Sequence, residues 1–378
     1  MPIFGTVLDL IPSITTAETM KTSTFRSNAL KFAVAALIPA LLAVPACKMG
    51  HASLQVLEPA DVTLPAHIQK FILADRTRPE KGNGQQALNI LEGIITGEGI
   101  FQDKWASEDC IEGLRQKLTM TPRFSVTVAA LDTALKGTGR RQTKPPLDWA
   151  TVSKLLGGDT TAALVVLEAF DSNTNLFNDV TQTQQKQTDG TTINVPQYNA
   201  HGKITVYTVW RTYDLKTKTI VDQFSGEQVQ QFDASGKTLA EAESRLPSRS
   251  DMTSRAGVYA GQQYGHRISP QYVWVSREYY RKGNSQMKSA GKMARYNNWK
   301  MASEIWNKEA TSSDQKVARR ASMNMALAAE QTGDIDLAIQ WCERAVQMGD
   351  KRAMRYLQVL QMRKWQNDKL NEQMKGKQ

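Results

Sequence analysis

Between Ile68 and Phe232 the chain alternates short apolar runs with amphipathic stretches, in an order that predicts a layered α/β domain. Ile68–Asp75 (IQKFILAD) is an apolar run of strand length between Pro65 and Pro79. Asn83–Asp103 carries several glycines and is ambiguous. Asp103–Leu118 then sets Trp105, Cys110, Ile111, Leu114 and Leu118 at helical intervals and stops before Pro122. Arg123–Leu131 alternates and is β-branched, which reads as a strand. Leu147–Leu156 reads as a short helix closed by Gly157-Gly158. Thr161–Phe170 (TAALVVLEAF) is apolar without alternation, which predicts burial on both faces and a partly parallel sheet. A polar insertion, Ser172–Asn199, separates it from two strands, Lys203–Tyr213 and Thr219–Phe232, around the turn Asp214–Lys218. Thr238–Gln263 is helical with a break at Pro247, and Ile268–Ser276 leads onward. The expected fold over 64–276 is therefore an α/β (α+β) sandwich with the order β-α-β-α-β-β-β-α.

Past Ser276 the period changes to that of helices, so 277–378 reads as a second, all-α domain. Gly333-Asp334 marks an inter-helix turn, Ala338 and Ala345 sit seven apart on the following helix, and Ala326 falls where the preceding helix must approach its neighbour. Asn297-Asn298 repeats the turn, with Ala302 after it and Trp306 opposite Cys342. The two turns are 36 residues apart, near the tetratricopeptide period of 34, and the extra length falls in Thr311–Lys316. An ordinary helical bundle with similar small-residue packing is the other reading. The aromatic residues Tyr296, Trp299, Trp306, Trp341, Tyr356 and Trp365 are expected mostly in the core of this tail.

The formal charge of +10 is unevenly placed. Residues 47–276 hold 24 Lys+Arg against 24 Asp+Glu, whereas 277–378 hold 20 against 11. The basicity thus belongs to the helical tail, which suits nucleic acid, an anionic membrane surface or an acidic protein partner. From Met20 the chain reads as a secretory signal. Lys21, Arg26 and Lys31 precede Phe32–Val44, an apolar run of 13 residues that is too short to span a bilayer. Val44-Pro45-Ala46-Cys47 resembles a bacterial lipobox, with Cys47 as the lipid attachment point and Pro45 as the departure from pattern. Cleavage after Ala52 and a retained anchor are the alternatives. Residues 1–19 read as sequence upstream of the true start, and 47–63 as a tether. An envelope address disfavours nucleic acid, leaving lipid headgroups or an acidic partner for the charge.

Few residues suggest chemistry. There is no GxSxG, HExxH, P-loop or GxGxxG; Gly97-Glu98-Gly99 lacks a third glycine. Ser285–Lys288 matches SxxK without its companion motifs and falls on a helix, where a solvated face is the plainer reading. With three cysteines, no CxxC and four histidines, neither a metal site nor a cofactor is expected. Cys110 and Cys342 read as buried thiols, with an interdomain disulfide as the other option. Glu168 and Asp171 end the most apolar strand, where α/β folds place acids and bases. With Asp75 and Arg76 they define the competing reading of an envelope hydrolase, although such carboxylates are more often loop caps. No catalytic residue is assigned.

The lipobox, PADVTLPAHIQKF, CIEGLRQKLTMTPRF, PLDW, AALVVLEAFDS, RISPQYVWVSREYYRKGN and NNWKMASEIW together resemble a family of Bacteroidota lipoproteins of unknown function that end in tetratricopeptide repeats. The strand–helix order also resembles, in topology alone, the α/β domains of the curli-secretion lipoprotein and of the TolB amino-terminal domain. The resemblance implies a lipoprotein of the outer membrane, and the absence of acids in Lys48–His51 implies the periplasmic side. The expected function is a non-enzymatic adaptor or assembly factor binding another envelope protein through its repeats. A homo-oligomer formed through the sheet is the further alternative. In tetratricopeptide repeats the first helix of each pair lines the concave surface. On this spacing those positions are Met287, Arg295, Arg320, Met323, Leu327 and Glu330, expected to accept an apolar segment with acidic flanks. Packing of the same side chains on the α/β domain or on the terminal helix Lys351–Leu370 is the alternative.

Overall fold

The computed structural model describes residues 49–78, 102–128, 135–138 and 141–375, and these described residues form two β-sheets of unequal size and nine helices. Cys47, the signal segment, Gly97-Glu98-Gly99 and nearly all of the ambiguous stretch Asn83–Asp103 lie outside the described residues.

The larger sheet follows the sequence order closely. Its strands are β2 (Lys70–Asp75), β3 (Ser125–Val128), β4 (Ala162–Lys186), β5 (Thr192–Asp214) and β6 (Thr219–Gly236), arranged β3-β2-β4-β5-β6. β2 pairs in parallel with β3 and β4, while β4, β5 and β6 are antiparallel, so the sheet is mixed. Helices α1 (Gln102–Thr119) and α4 (Arg249–Ile268) cover one face, and α2 (Trp149–Leu156) covers the other. This explains the unbroken apolar run of β4. Ala163, Val165 and Leu167 enter the core under α1 and α4, whereas Ala162, Leu164 and Val166 meet Val152 and Leu156 of α2. Asp148 of the PLDW motif caps α2, accepting from Thr151 N at 2.8 Å. The close crossing of α1 and α4 depends on glycine: a Cβ at Gly261 would fall 1.9 Å from the Cys110 carbonyl oxygen. The break expected at Pro247 separates α3 (Leu239–Arg245) from α4.

Two segments depart from expectation. Ser172–Asn199 is a continuation of the sheet, with β4 and β5 running on as a ribbon to the turn around Gly190, exposed on both faces near its tip. Thr, Gln and Asn on both faces gave no alternation to read, although the antiparallel ladder satisfies the backbone all the same. Residues 47–63, expected as a tether, contain β1 (Gly50–Glu58). It pairs antiparallel over its whole length with β7 (Gln271–Tyr279), more than two hundred positions away.

That second sheet belongs to the helical half. The helices α5 (Ser285–Arg295), α6 (Trp299–Glu309), α7 (Gln315–Gln331), α8 (Ile335–Gln347) and α9 (Lys351–Gln373) follow β7. Three of their turns share one design. Asn297, Gly333 and Gly349 take left-handed backbones, and Asn298, Asp334 and Asp350 then cap the next helix. The same bond closes each turn, from Asn298, Asp334 and Asp350 N to the carbonyls of Met293, Ala329 and Ala345. Ala302, Trp306, Ala326, Ala338, Cys342 and Ala345 are all buried. Cys342 and Cys110 are free, buried thiols with no disulfide between them. Among the described residues no helix is long and apolar enough to cross a membrane.

Two side chains imitate backbone, Gln373 of α9 on the segment that leads to β2 and Asn324 within the helical half. The Gln373 amide both donates to Ala60 O and accepts from Ala60 N, each at 2.9 Å, while Asn324 does the same with Tyr280, at 2.8 and 2.7 Å. The described residues form one compact unit.

Candidate functional site

Glu168 and Asp171, expected at the end of the most apolar strand, lie inside β4, which continues to Lys186. Glu168 occupies a β-bulge, where the pairing with β5 shifts between Leu167 and Ala169. The bulge aims its side chain at Arg76, whose Nη1 donates to Oε2 at 3.1 Å, and at Tyr213, whose hydroxyl donates to Oε1 at 2.9 Å. Arg211 Nη1 lies 3.2 Å from Oε1. The same guanidiniums donate onward to the carbonyls of Pro145 and Lys144, which close the cluster from above. Burial, with the Glu168 charge beside it, pushes the Tyr213 hydroxyl up to about 12, so it stays a donor. Glu168 is 1% exposed, and its oxygens are occupied by charged and hydroxyl donors. Asp171 faces outward to Arg141 at 2.7 Å, and Asp75 accepts from Thr77 N and Ser107 Oγ. The structure thus brings Arg76 to Glu168 but forms no accessible carboxylate pair. This is an arrangement for holding strands together.

The same construction recurs twice. Asp222 is held by Arg267 (2.8 Å) and the Tyr264 hydroxyl (2.9 Å), and Glu330 by Arg277 (2.9 Å) and the Tyr356 hydroxyl (2.5 Å). Charge-assisted bonds of this kind satisfy a buried carboxylate fully. Among the described residues, no group of three or more His, Cys, Asp or Glu side chains is arranged to hold a metal ion.

The six expected groove positions are not brought together on an open surface. Met287, Met323, Leu327 and Glu330 are buried. They pack under the β1–β7 ribbon, whose Ala52, Leu54, Val56 and Tyr279 enter the same core. Arg320 donates to Lys282 O at 3.0 Å and lies over the Tyr280 ring, while Arg295 is exposed on α5. The physical reason is alternation along β1. Gly50, Ala52, Leu54 and Val56 point inward and His51, Ser53 and Gln55 outward, so one strand face fills the helical surface.

Open apolar side chains occur on the outer face of β7, at Tyr272 and Trp274, and on the far side of α9. Ala353, Tyr356 and Leu360 face inward, whereas Met354, Met362 and Trp365 are exposed on the opposite side of the same helix. Gln358, Gln361, Met362 and Trp365 line a shallow hollow of about 440 Å³. Trp365, expected in the core, is 58% exposed, with the Lys369 ammonium 5.8 Å from its ring. Tyr296 is likewise outside, whereas Trp306 and Tyr356 are inside. The signal was present: two apolar stripes on one helix exceed what a single core contact needs.

The protein is, then, a mixed-sheet α/β domain joined through a shared two-stranded ribbon to an array of five helices. A family model described as "Domain of unknown function (DUF8603)" matches residues 68–280, more than half of the chain, and the protein belongs to that family. A second, described as "Domain of unknown function (DUF6340)", matches residues 288–367. The curated proteins contain no match to the chain.

Proposed function

We propose that the protein is a lipid-anchored envelope component whose work is to bind a protein partner, and that its helical half is a tetratricopeptide-like array. The repeat reading is supported by the matched turns, 36 residues apart at Asn297 and Gly333, with Ala302 and Ala338, and Trp306 and Cys342, at equivalent buried places. The anchor reading is supported by the lipobox ending at Cys47. Cys47→Ser is expected to release the protein from membranes and to remove the lipid increment from its intact mass.

One observation carries the binding role. Helix α9 presents Met354, Met362 and Trp365 to solvent beside a hollow, on the side away from its own buried Ala353, Tyr356 and Leu360. Methionine adapts to varied apolar partners, and an exposed tryptophan beside it is the usual anchor of a contact. A photo-reactive residue at Met362 is expected to crosslink one envelope protein that the same group at Ser53, on the outer face of β1, does not. Trp365→Ala is expected to abolish that crosslink. Equal crosslinking from both sites, or a crosslink indifferent to Trp365, overturns the assignment.

Self-association through the sheet has one observation in its favour. β6 is a long edge strand, paired only with β5 among the described residues. Light scattering on the chain from residue 47, carrying Cys47→Ser, decides it: a monomeric mass removes this reading.

A further inference from the structure

The basic excess of the tail is concentrated at one corner. Between Glu278 and Glu304 the chain carries Arg281, Lys282, Lys288, Lys292, Arg295 and Lys300, with no acidic residue among them. Lys288, Lys292 and Arg295 are spaced four and three apart on α5, to one side of its buried Met287, Ala290, Gly291 and Ala294, so they form one exposed face. Several buried basic groups elsewhere are neutralised: Arg76, Arg211, Arg267 and Arg277 each meet a carboxylate. Among the described residues, none of the six has an ion-pair partner, and the flanking Glu278 is paired with Arg352. Glu309 lies at the N-cap of α5, where Asn284 Nδ2 donates to it at 2.5 Å, and makes no ion pair with the six; a face of like charge is poised for an anionic surface.

The chain enters the fold at this same corner. Gly50 lies opposite Tyr279, so close that a Cβ there would fall 2.2 Å from the tyrosine ring. The Tyr279 hydroxyl donates to Gly291 O of α5 at 3.4 Å, and Gly291 rests against the Arg281 backbone. Gly50 is three residues after Cys47 in the chain. Tyr296, 77% exposed, and the partly buried Trp299 follow α5 directly, and such aromatic rings with polar edges suit the headgroup layer.

We propose that the α5 face, Lys288, Lys292 and Arg295 with Arg281 and Lys282 beside it, binds the anionic headgroups of the bilayer and holds the folded unit against it. This rests on the reading of Cys47 as the anchored residue, and it supplies an electrostatic contact beside the acyl chains. Each basic side chain at an anionic surface strengthens binding roughly fivefold. The contact is screened by salt.

The test uses the chain from residue 47 with Cys47→Ser, which carries no lipid, in sedimentation with vesicles of phosphatidylcholine alone or with one third phosphatidylglycerol. Binding is expected to the phosphatidylglycerol vesicles only, and to be lost in high salt. Replacing Lys288, Lys292 and Arg295 together by Gln is expected to weaken it about a hundredfold. The same change at the exposed Lys216, Lys218 and Lys237 of the sheet is expected to leave it unchanged. Equal binding to neutral vesicles, a triple variant that binds like wild type, or tighter binding of a DNA oligonucleotide than of the vesicles overturns the proposal. Because this protein lacks the lipid, a failed anchor shows itself separately, as Cys47→Ser that leaves membrane attachment in cells unchanged.

Discussion

The inner face of the helical array and the outer face of α9 are built from similar side chains and end in opposite states. Inside, Met287, Met323, Leu327 and Tyr356 are covered by the β1–β7 ribbon and belong to one core. Outside, Met354, Met362 and Trp365 stand in solvent. The difference is the occupant. The inner face has a segment of its own chain whose apolar side chains alternate at the right spacing, and a buried Arg277–Glu330–Tyr356 cluster seals the join. A surface that resembles a binding groove by composition can therefore be filled already from within. The outer face of α9 has no such segment over Met354, Met362 and Trp365 among the described residues.

The sharpest way to break this comparison is to remove the seal. Glu330→Ala leaves the Arg277 charge buried without its partner, and is expected to lower stability by about 3–5 kcal/mol in denaturant unfolding. A loss under about 1 kcal/mol would mean that the ribbon contributes little to the array.

A smaller effect is expected from paired truncations. Leu54→Ala, on the covered side, is expected to cost about 2–3 kcal/mol through lost burial and a residual cavity. Trp365→Ala, on the bare side, is expected to change stability by less than about 0.5 kcal/mol. Equal costs at the two sites would show that the outer face is also packed in solution.

The smallest effect concerns the base of the β4–β5 ribbon, far from both faces in the chain. His201 donates from both ring nitrogens when protonated, to Asp233 at 2.6 Å and Asp179 at 3.2 Å, and Phe177 stacks on its ring. The hydrogen bond to Asp233, then that to Asp179, holds its pKa above the ordinary value in spite of burial. A raised folded pKa means that this contribution is complete below the free-chain value, near about 6.5, and is lost as pH rises through the folded one. At the acid end it is bounded by Asp233 and Asp179, whose pKa values are lowered, chiefly by His201 and by Asn199 respectively. An NMR titration of the His201 ring is expected to show a midpoint above the ordinary imidazole value, and Asp233→Asn to bring it down. A midpoint unchanged by Asp233→Asn would remove the pairing.

Much of the larger sheet was legible because its signals are local. The unalternating run of β4, the Pro247 break and the glycine turns each act within a few residues, and the observed elements lie where those signals put them. Glu168 was legible as an acid on the most apolar strand, but neither its place inside β4, which runs on to Lys186, nor its role was. The bulge that aims it, and Arg76 and Arg211 on neighbouring strands, are properties of register. The polar ribbon of β4 and β5 was missed for a related reason, since a strand with two polar faces has no period-two signal to read.

What the sequence determined by itself was therefore element type, turn position, the basic character of the tail and its concentration between Glu278 and Glu304. Those follow from backbone sterics and side-chain charge, which act on neighbours in the chain. Only the tertiary structure decided that β1 pairs with β7, that this ribbon covers Met287, Met323, Leu327 and Glu330, and that the chain enters beside α5. Burial is a property of what packs on a residue. Here that partner lies, for Leu54 and Leu327, more than two hundred residues away, where no local pattern carries the information.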